Sequence, residues 1–214
     1  MQRLDYYEFL GYLAPGGALL FGVSRMSPQV GTALAASSLT IGDLGIFVIL
    51  SYATGHAVQA IGNVIEAAWW GLWGGWPSDW PRSSKHALLS TAQLNALPQR
   101  VAALLGTATQ VPLIDYDKKG WQAVVSQIGA ALKAANRTER LDVFNGNYGL
   151  CRGLLAGAVV LMALCATGFG CGAWKAQVGL AIVAVLMLCR MHRFGWRYAR
   201  ELFTQYLDLT KGAS

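Results

Sequence analysis

The sequence predicts an all-α, polytopic membrane protein: about four transmembrane helices, a helical cytoplasmic insert between the second and third, and a C-terminal cytoplasmic helix. Three observations carry that expectation. Of 214 residues, 54% are hydrophobic and 13% charged, about half the charged share of an ordinary soluble domain. The mean hydropathy is positive, at +0.38. The charges are also clustered, so that the runs 9–24, 44–65, 153–174 and 176–189 hold no Asp, Glu, Lys or Arg.

Crossing a hydrocarbon core takes about 20 apolar helical residues, because every backbone N–H and C=O must be bonded within the segment. The two middle runs meet that length unaided. The first can be extended back through Tyr6, Tyr7 and Glu8, and Pro15-Gly16-Gly17 should kink or break it, leaving a bent or re-entrant segment open. The last run is short, about 21 Å at 1.5 Å per residue. Lys175 and Arg190 must therefore snorkel to opposite surfaces, or Arg190 must sit in a polar interior. The competing readings are a soluble protein with very apolar core helices and an N-terminal signal peptide. Asp5 and Glu8 ahead of the first run, with no clean small-x-small cleavage site after it, favour a retained anchor.

Lys and Arg gather on the cytoplasmic side of membrane proteins. Residues 78–148 carry Arg82, Lys85, Arg100, Lys118, Lys119, Lys133, Arg137 and Arg140. Arg190, Arg193, Arg197, Arg200 and Lys211 follow at or beyond the end of the fourth run, whereas the two outer connections offer only Arg25 and Lys175. Both termini and the insert are therefore expected in the cytoplasm, and the bias suits a bacterial inner membrane. The sequon Asn136-Arg137-Thr138 would lie on the wrong side for glycosylation. Cys151, Cys165, Cys171 and Cys189 lack metal-ligand spacing and read as small buried hydrophobes.

The chain thus divides into 1–76, a first helix pair; 77–148, the insert; and 149–214, a second pair with the C-terminal helix. Trp69, Trp70, Trp73, Trp76 and Trp80 suit the inner headgroup region, and Pro77 and Pro81 are expected to end the second span. In the insert, Leu94, Leu97, Val101 and Leu104 follow helical spacing, with Pro98 limiting where that helix begins. Trp121, Val124, Val125, Ile128 and Leu132 form a cleaner apolar face. Leu141, Phe144, Tyr148, Cys151 and Leu155 carry one face straight into the third span, and Phe194, Tyr198, Leu202 and Tyr206 do the same beyond the fourth.

The second span holds the least bland pattern. Tyr52, His56, Gln59, Asn63, Glu66 and Trp70 recur at four- and three-residue steps, hence on one helix face. Polar groups at membrane depth are costly and mark a bundle interior, a cavity or a partner helix. The strip reads either as interhelical packing or as a proton relay, pore lining or acid/base site. Arg152, in the antiparallel third span, matches Glu66 in depth, so an ion pair is expected. Gly149, Gly153 and Gly157 form a smooth strip for close helix approach.

Arg190, Arg193, Arg197 and Arg200 align along the last helix. Anionic lipid headgroups would satisfy them; a phosphate-bearing ligand is the sharper alternative. No nucleotide-binding, hydrolase or metalloprotease motif is present, so no catalytic residue, cofactor or metal is expected, and nucleic acid is an unlikely partner. The function this architecture suggests is a non-enzymatic module of the lipid bilayer. It would assemble as a homo-oligomer and be regulated by a signal or a cytoplasmic protein partner, with pore formation or membrane disruption as its output, as in some effectors of bacterial antiviral defence. The alternatives are a membrane enzyme using His56 or Glu66 on a lipid, and a small channel or transporter.

Overall fold

The computed structural model describes residues 9–27, 31, 41–83, 86–107, 109–167 and 174–211. All regular structure among them is helical: α1 (Ala14–Met26), α2 (Ile41–Leu72), α3 (Trp80–Ser83), α4 (Thr91–Leu105), α5 (Lys118–Ala134), α6 (Glu139–Ala166) and α7 (Trp174–Lys211). A π-helical turn, Phe9–Leu13, leads into α1, and short 3-10 turns occupy Pro77–Asp79 and Leu113–Asp115. Three helical stretches are long and apolar enough to cross a membrane: Gly42–Ser83, Glu139–Ala166 and Trp174–Leu209. The first apolar segment is not among them. It forms the five-residue π-turn and the 13-residue α1. Tyr6, Tyr7 and Glu8, which could lengthen it, lie outside the described residues, as does Cys171.

The chain folds as two compact units, 1–67 with 145–194 and 68–144 with 195–214. The C-terminal part of α7, from residue 195 onward, thus belongs to the same unit as residues 68–144.

In the first unit the core comprises Leu19, Met26, Val58, Ala156, Leu161 and Cys165, flanked by Val23, Ile65, Val160, Leu164 and Leu180. The outer face of α7, with Val178, Ile182, Val183, Val185 and Leu186, is exposed, which suits contact with acyl chains. The expected break at Pro15-Gly16-Gly17 takes the form of the switch from π- to α-helix just before Pro15. Proline there has no N–H to bond the carbonyl four residues back, that of Gly11.

Close approach of α1 and α2 rests on two glycines. A Cβ at Gly16 would collide with the Ser51 carbonyl and the Gly55 backbone, and one at Gly55 with the Tyr12 backbone. Gly22 likewise admits the Leu161 side chain.

In the second unit, Gly74 and Gly75, both at positive φ, end α2 ahead of Pro77. Their N–H groups bond the Gly71 and Trp70 carbonyls, so glycine capping, rather than the prolines, stops the helix. Helix α4 begins at a capping box in which Ser90 Oγ accepts from the Gln93 N–H while Gln93 Oε1 accepts from the Ser90 N–H. It runs on through Pro98 to the left-handed Gly106; the start is set by this cap, so Pro98 costs one backbone bond and does not displace it. Helix α5 starts at Asp117, whose carboxylate accepts from the Gly120 N–H at 2.8 Å, and buries Trp121, Val124, Ile128 and Leu132. Trp121 stacks on Phe203 at 6.0 Å and donates to the Ser78 carbonyl at 2.8 Å. Tyr206 donates to the Arg100 carbonyl at 2.7 Å. Of the expected interfacial tryptophans, Trp70 and Trp80 are instead buried in this unit; Trp73 and Trp76 remain exposed.

The glycine crossing gives a signed test. Gly55→Ala and Gly16→Ala should each destabilise by about 1–3 kcal/mol through overpacking, read as a lower thermal midpoint in detergent. Gly45→Ala, on the same α2 but with open space around its Cβ, should be neutral or stabilising through helix propensity, by up to ~1 kcal/mol. Equal effects at the three positions would remove the crossing as a packing constraint.

Candidate functional site: a buried polar network

Along α2, Ser51, Gly55, Val58, Gly62 and Glu66 are buried at steps of four and three, with Gln59 buried beside Val58 on the edge of the same seam. Helix α6 contributes Tyr148, Gly149, Arg152 and Gly153. Gly62 clears room for the arginine: a Cβ there would lie 2.9 Å from Arg152 Cγ. Gly153 clears room for the glutamine and the proline, since its Cβ would lie 2.9 Å from Gln59 Nε2 and 2.6 Å from Pro15 Cγ. A Cβ at Gly157 would lie 3.9 Å from Leu19 Cβ, an ordinary contact, so the packing there does not require glycine.

Arg152 Nη1 meets Glu66 Oε2 at 2.6 Å, and Arg152 Nε donates to Gln59 Oε1 at 2.7 Å. The Tyr148 hydroxyl donates to the other carboxylate oxygen, Glu66 Oε1. Gln59 Nε2 donates to the Gly149 carbonyl at 2.9 Å and to the Gly11 carbonyl. That last acceptor is the one Pro15 leaves unclaimed. Glu66 is 3% exposed and Gln59 4%. An isolated carboxylate or guanidinium would be prohibitively desolvated here; opposite charge, together with donors on both carboxylate oxygens, offsets the cost.

The six-residue strip on α2 does not act as one face. Gln59, Glu66 and Trp70 are buried, whereas Tyr52, His56 and Asn63 are exposed on the shoulder of the seam. His56 stacks on Tyr12 with ring centroids 4.3 Å apart and meets Tyr52 edge-on at 4.8 Å. Ten residues separate His56 from Glu66, about 15 Å of helix rise, so the two cannot share one proton transfer. Sequence reasoning missed Tyr12, the Gly11 carbonyl and the polar role of Tyr148. The Gly11–Pro15 spacing was the available signal for the second of these.

The arginines on α7 find aromatic partners on their own helix. Arg190 lies 5.3 Å from the Phe194 ring centroid, and Arg200 lies 5.3 Å from that of Trp196. Arg193 is exposed and Arg197 half-buried. Cys151 and Cys165 are buried, but Cys189 is exposed, contrary to its expected burial, because it lies on the outward side of α7. No group of three or more metal-ligating side chains occurs among the described residues. In the second unit Trp76, Ser78, Asp79, Gln122 and Val125 line an open cleft of about 190 Å³; the sequence placed Trp76 and Val125 on apolar surfaces and none of the five in a site.

Removing one partner of the pair should be far costlier than removing its hydroxyl neighbour. Arg152→Met is expected to destabilise by about 3–5 kcal/mol and Tyr148→Phe by roughly 1.5–3 kcal/mol, measured by denaturant titration in mixed micelles. The charge swap Glu66→Arg with Arg152→Glu should recover part of the single-variant loss; no recovery would mean the pairing does not set stability. Ser51 Oγ, buried with no hydrogen-bond partner among the described residues, supplies the opposite sign: Ser51→Ala should raise the thermal midpoint or leave it unchanged.

No protein-family model, curated protein or solved structure matches the chain, so its function is read from its own residues.

Proposed function

We propose that this chain is a non-enzymatic, multi-pass membrane module that assembles with copies of itself. Its polar network serves as a lock between spans, and neither catalyses nor conducts. The observation that carries the reading is the closure of that network: both Glu66 carboxylate oxygens are engaged, by Arg152 and by Tyr148. A general acid or an ion-coordinating carboxylate must exchange partners with substrate or water. Here such exchange would strand a part-buried guanidinium.

In this reading the segment Phe9–Met26 completes a fourth crossing, since 5 and 13 helical residues reach about 27 Å against a hydrocarbon core of ~30 Å. The Lys/Arg bias orients both termini and the 78–148 segment to the cytoplasm of a bacterial inner membrane. The unit of 68–144 with 195–214 then receives the signal or protein partner. The output is membrane permeabilisation, of the kind used by effectors of bacterial antiviral defence.

Reconstitution into liposomes tests this. Wild-type protein should release an encapsulated dye, and His56→Gln, which keeps hydrogen bonding but removes proton transfer at neutral pH, should do so within about twofold. A general acid or base at that position would lose roughly 10²–10⁴ in rate. Lipid turnover that His56→Gln abolishes in a folded protein would replace this reading with an enzymatic one.

A further inference from the structure

Beside the buried seam, α2 exposes a second stripe: Tyr52, His56, Ala60, Asn63 and Ala67 are all exposed. Tyr52, at 40% exposure, His56 and Asn63 fall within about 40° of one another around the helix axis, at 100° per residue. The uncharged run of α2 extends from 44 to 65, so His56 lies near its centre and faces outward at hydrocarbon depth. A phenol, an imidazole and a carboxamide in that position gain nothing from acyl chains and each carries a desolvation cost. The alanines between them add no bulk beyond a methyl. Polar groups that hydrogen-bond across helices, set among small residues that let backbones approach, are how membrane helices associate. By contrast the outer face of α7 presents Val178, Ile182, Val185 and Leu186, which hydrocarbon solvates well.

Resting on the self-assembly reading above, we propose that this stripe is the contact through which α2 packs, in parallel, against α2 of a second copy of the chain. The chemistry of the stripe selects that occupant. A two-fold axis along the membrane normal places each residue opposite its own counterpart at the same depth. A tyrosine hydroxyl, a neutral imidazole and an asparagine amide each carry both a donor and an acceptor, so each can bond its own copy. The stripe holds no fixed charge, so like meets like without repulsion. Tyr12, stacked on His56 and 6.1 Å from Tyr52, steadies the two rings in position for the contact.

Site-specific photocrosslinking of the full-length chain in native membranes tests the proposal, with a benzophenone amino acid placed at Ala60 or, for comparison, at Val185. The expected result is a homodimer adduct from Ala60 and none from Val185. In detergent, Asn63→Leu should weaken self-association by roughly three- to tenfold while leaving the monomer's thermal midpoint unchanged. A homodimer adduct from Val185 and not from Ala60 overturns the α2 contact but leaves self-assembly standing. A single copy at all concentrations overturns both. An adduct from Ala60 to a different protein, or labelling of a cysteine at Ala60 by a membrane-impermeant, water-soluble thiol reagent, also overturns the proposal. The latter would show that the stripe lines water instead of a second helix.

Discussion

The pairing of Arg152 with Glu66 is the constraint on which the first unit depends. Neither charge is tolerable alone in so dry a setting, and the geometry that makes them tolerable demands much of its surroundings. The guanidinium must reach the carboxylate past α2, so position 62 is glycine. Its remaining Nε donor needs an acceptor, which Gln59 supplies. Once the Gln59 oxygen is committed, its amide must find two acceptors, and the Gly149 and Gly11 carbonyls provide them. Each step removes a polar atom that would otherwise be stranded, and each fixes another stretch of backbone. The result ties the π-turn ahead of α1, the middle of α2 and the cytoplasm-proximal half of α6, in the proposed orientation, through a single hydrogen-bonded chain.

Such a network specifies arrangement more than it adds stability. Buried ion pairs often contribute little net free energy compared with apolar residues of the same shape, but breaking one is expensive. Lipid supplies little hydrophobic drive for one helix to choose another. A polar lock that closes in one register only is therefore an economical way to select a packing. The glycine crossing of α1 and α2 works in the same direction by steric means: the backbones approach because nothing larger than hydrogen stands between them.

The α2 helix thus carries two polar faces of different character. On the inner one Gln59, Glu66, Arg152 and Tyr148 are hydrogen-bonded to one another and to the Gly149 and Gly11 carbonyls, while Ser51 Oγ has no partner among the described residues. The shoulder carrying Tyr52, His56 and Asn63 is open. This difference, more than the mere presence of polar residues on an apolar helix, separates the closed network from the exposed stripe proposed as a contact. The second unit relies on local devices: a capping box at Ser90, an Asp117 cap, glycine stops and a Trp121–Phe203 core.

The sequence by itself determined the helical class, the placement of the long apolar helices, the buried face of α5 and the choice of Glu66 and Arg152 as facing charges. These follow from periodicity and from the length a bilayer demands, both of which are local properties of the chain. It could not divide the α2 strip into buried and exposed halves, because residues 20–40° apart on a helix share a face by spacing yet differ in what packs over them. Nor could it show that Tyr148 turns its hydroxyl inward, that the Gly11 carbonyl freed by Pro15 receives Gln59, or that Trp70 and Trp80 are core residues. Those outcomes depend on which distant segment arrives at each position. Tertiary structure alone decides that, since a hydrogen-bond partner 48 or 93 residues away leaves no periodic trace in the sequence.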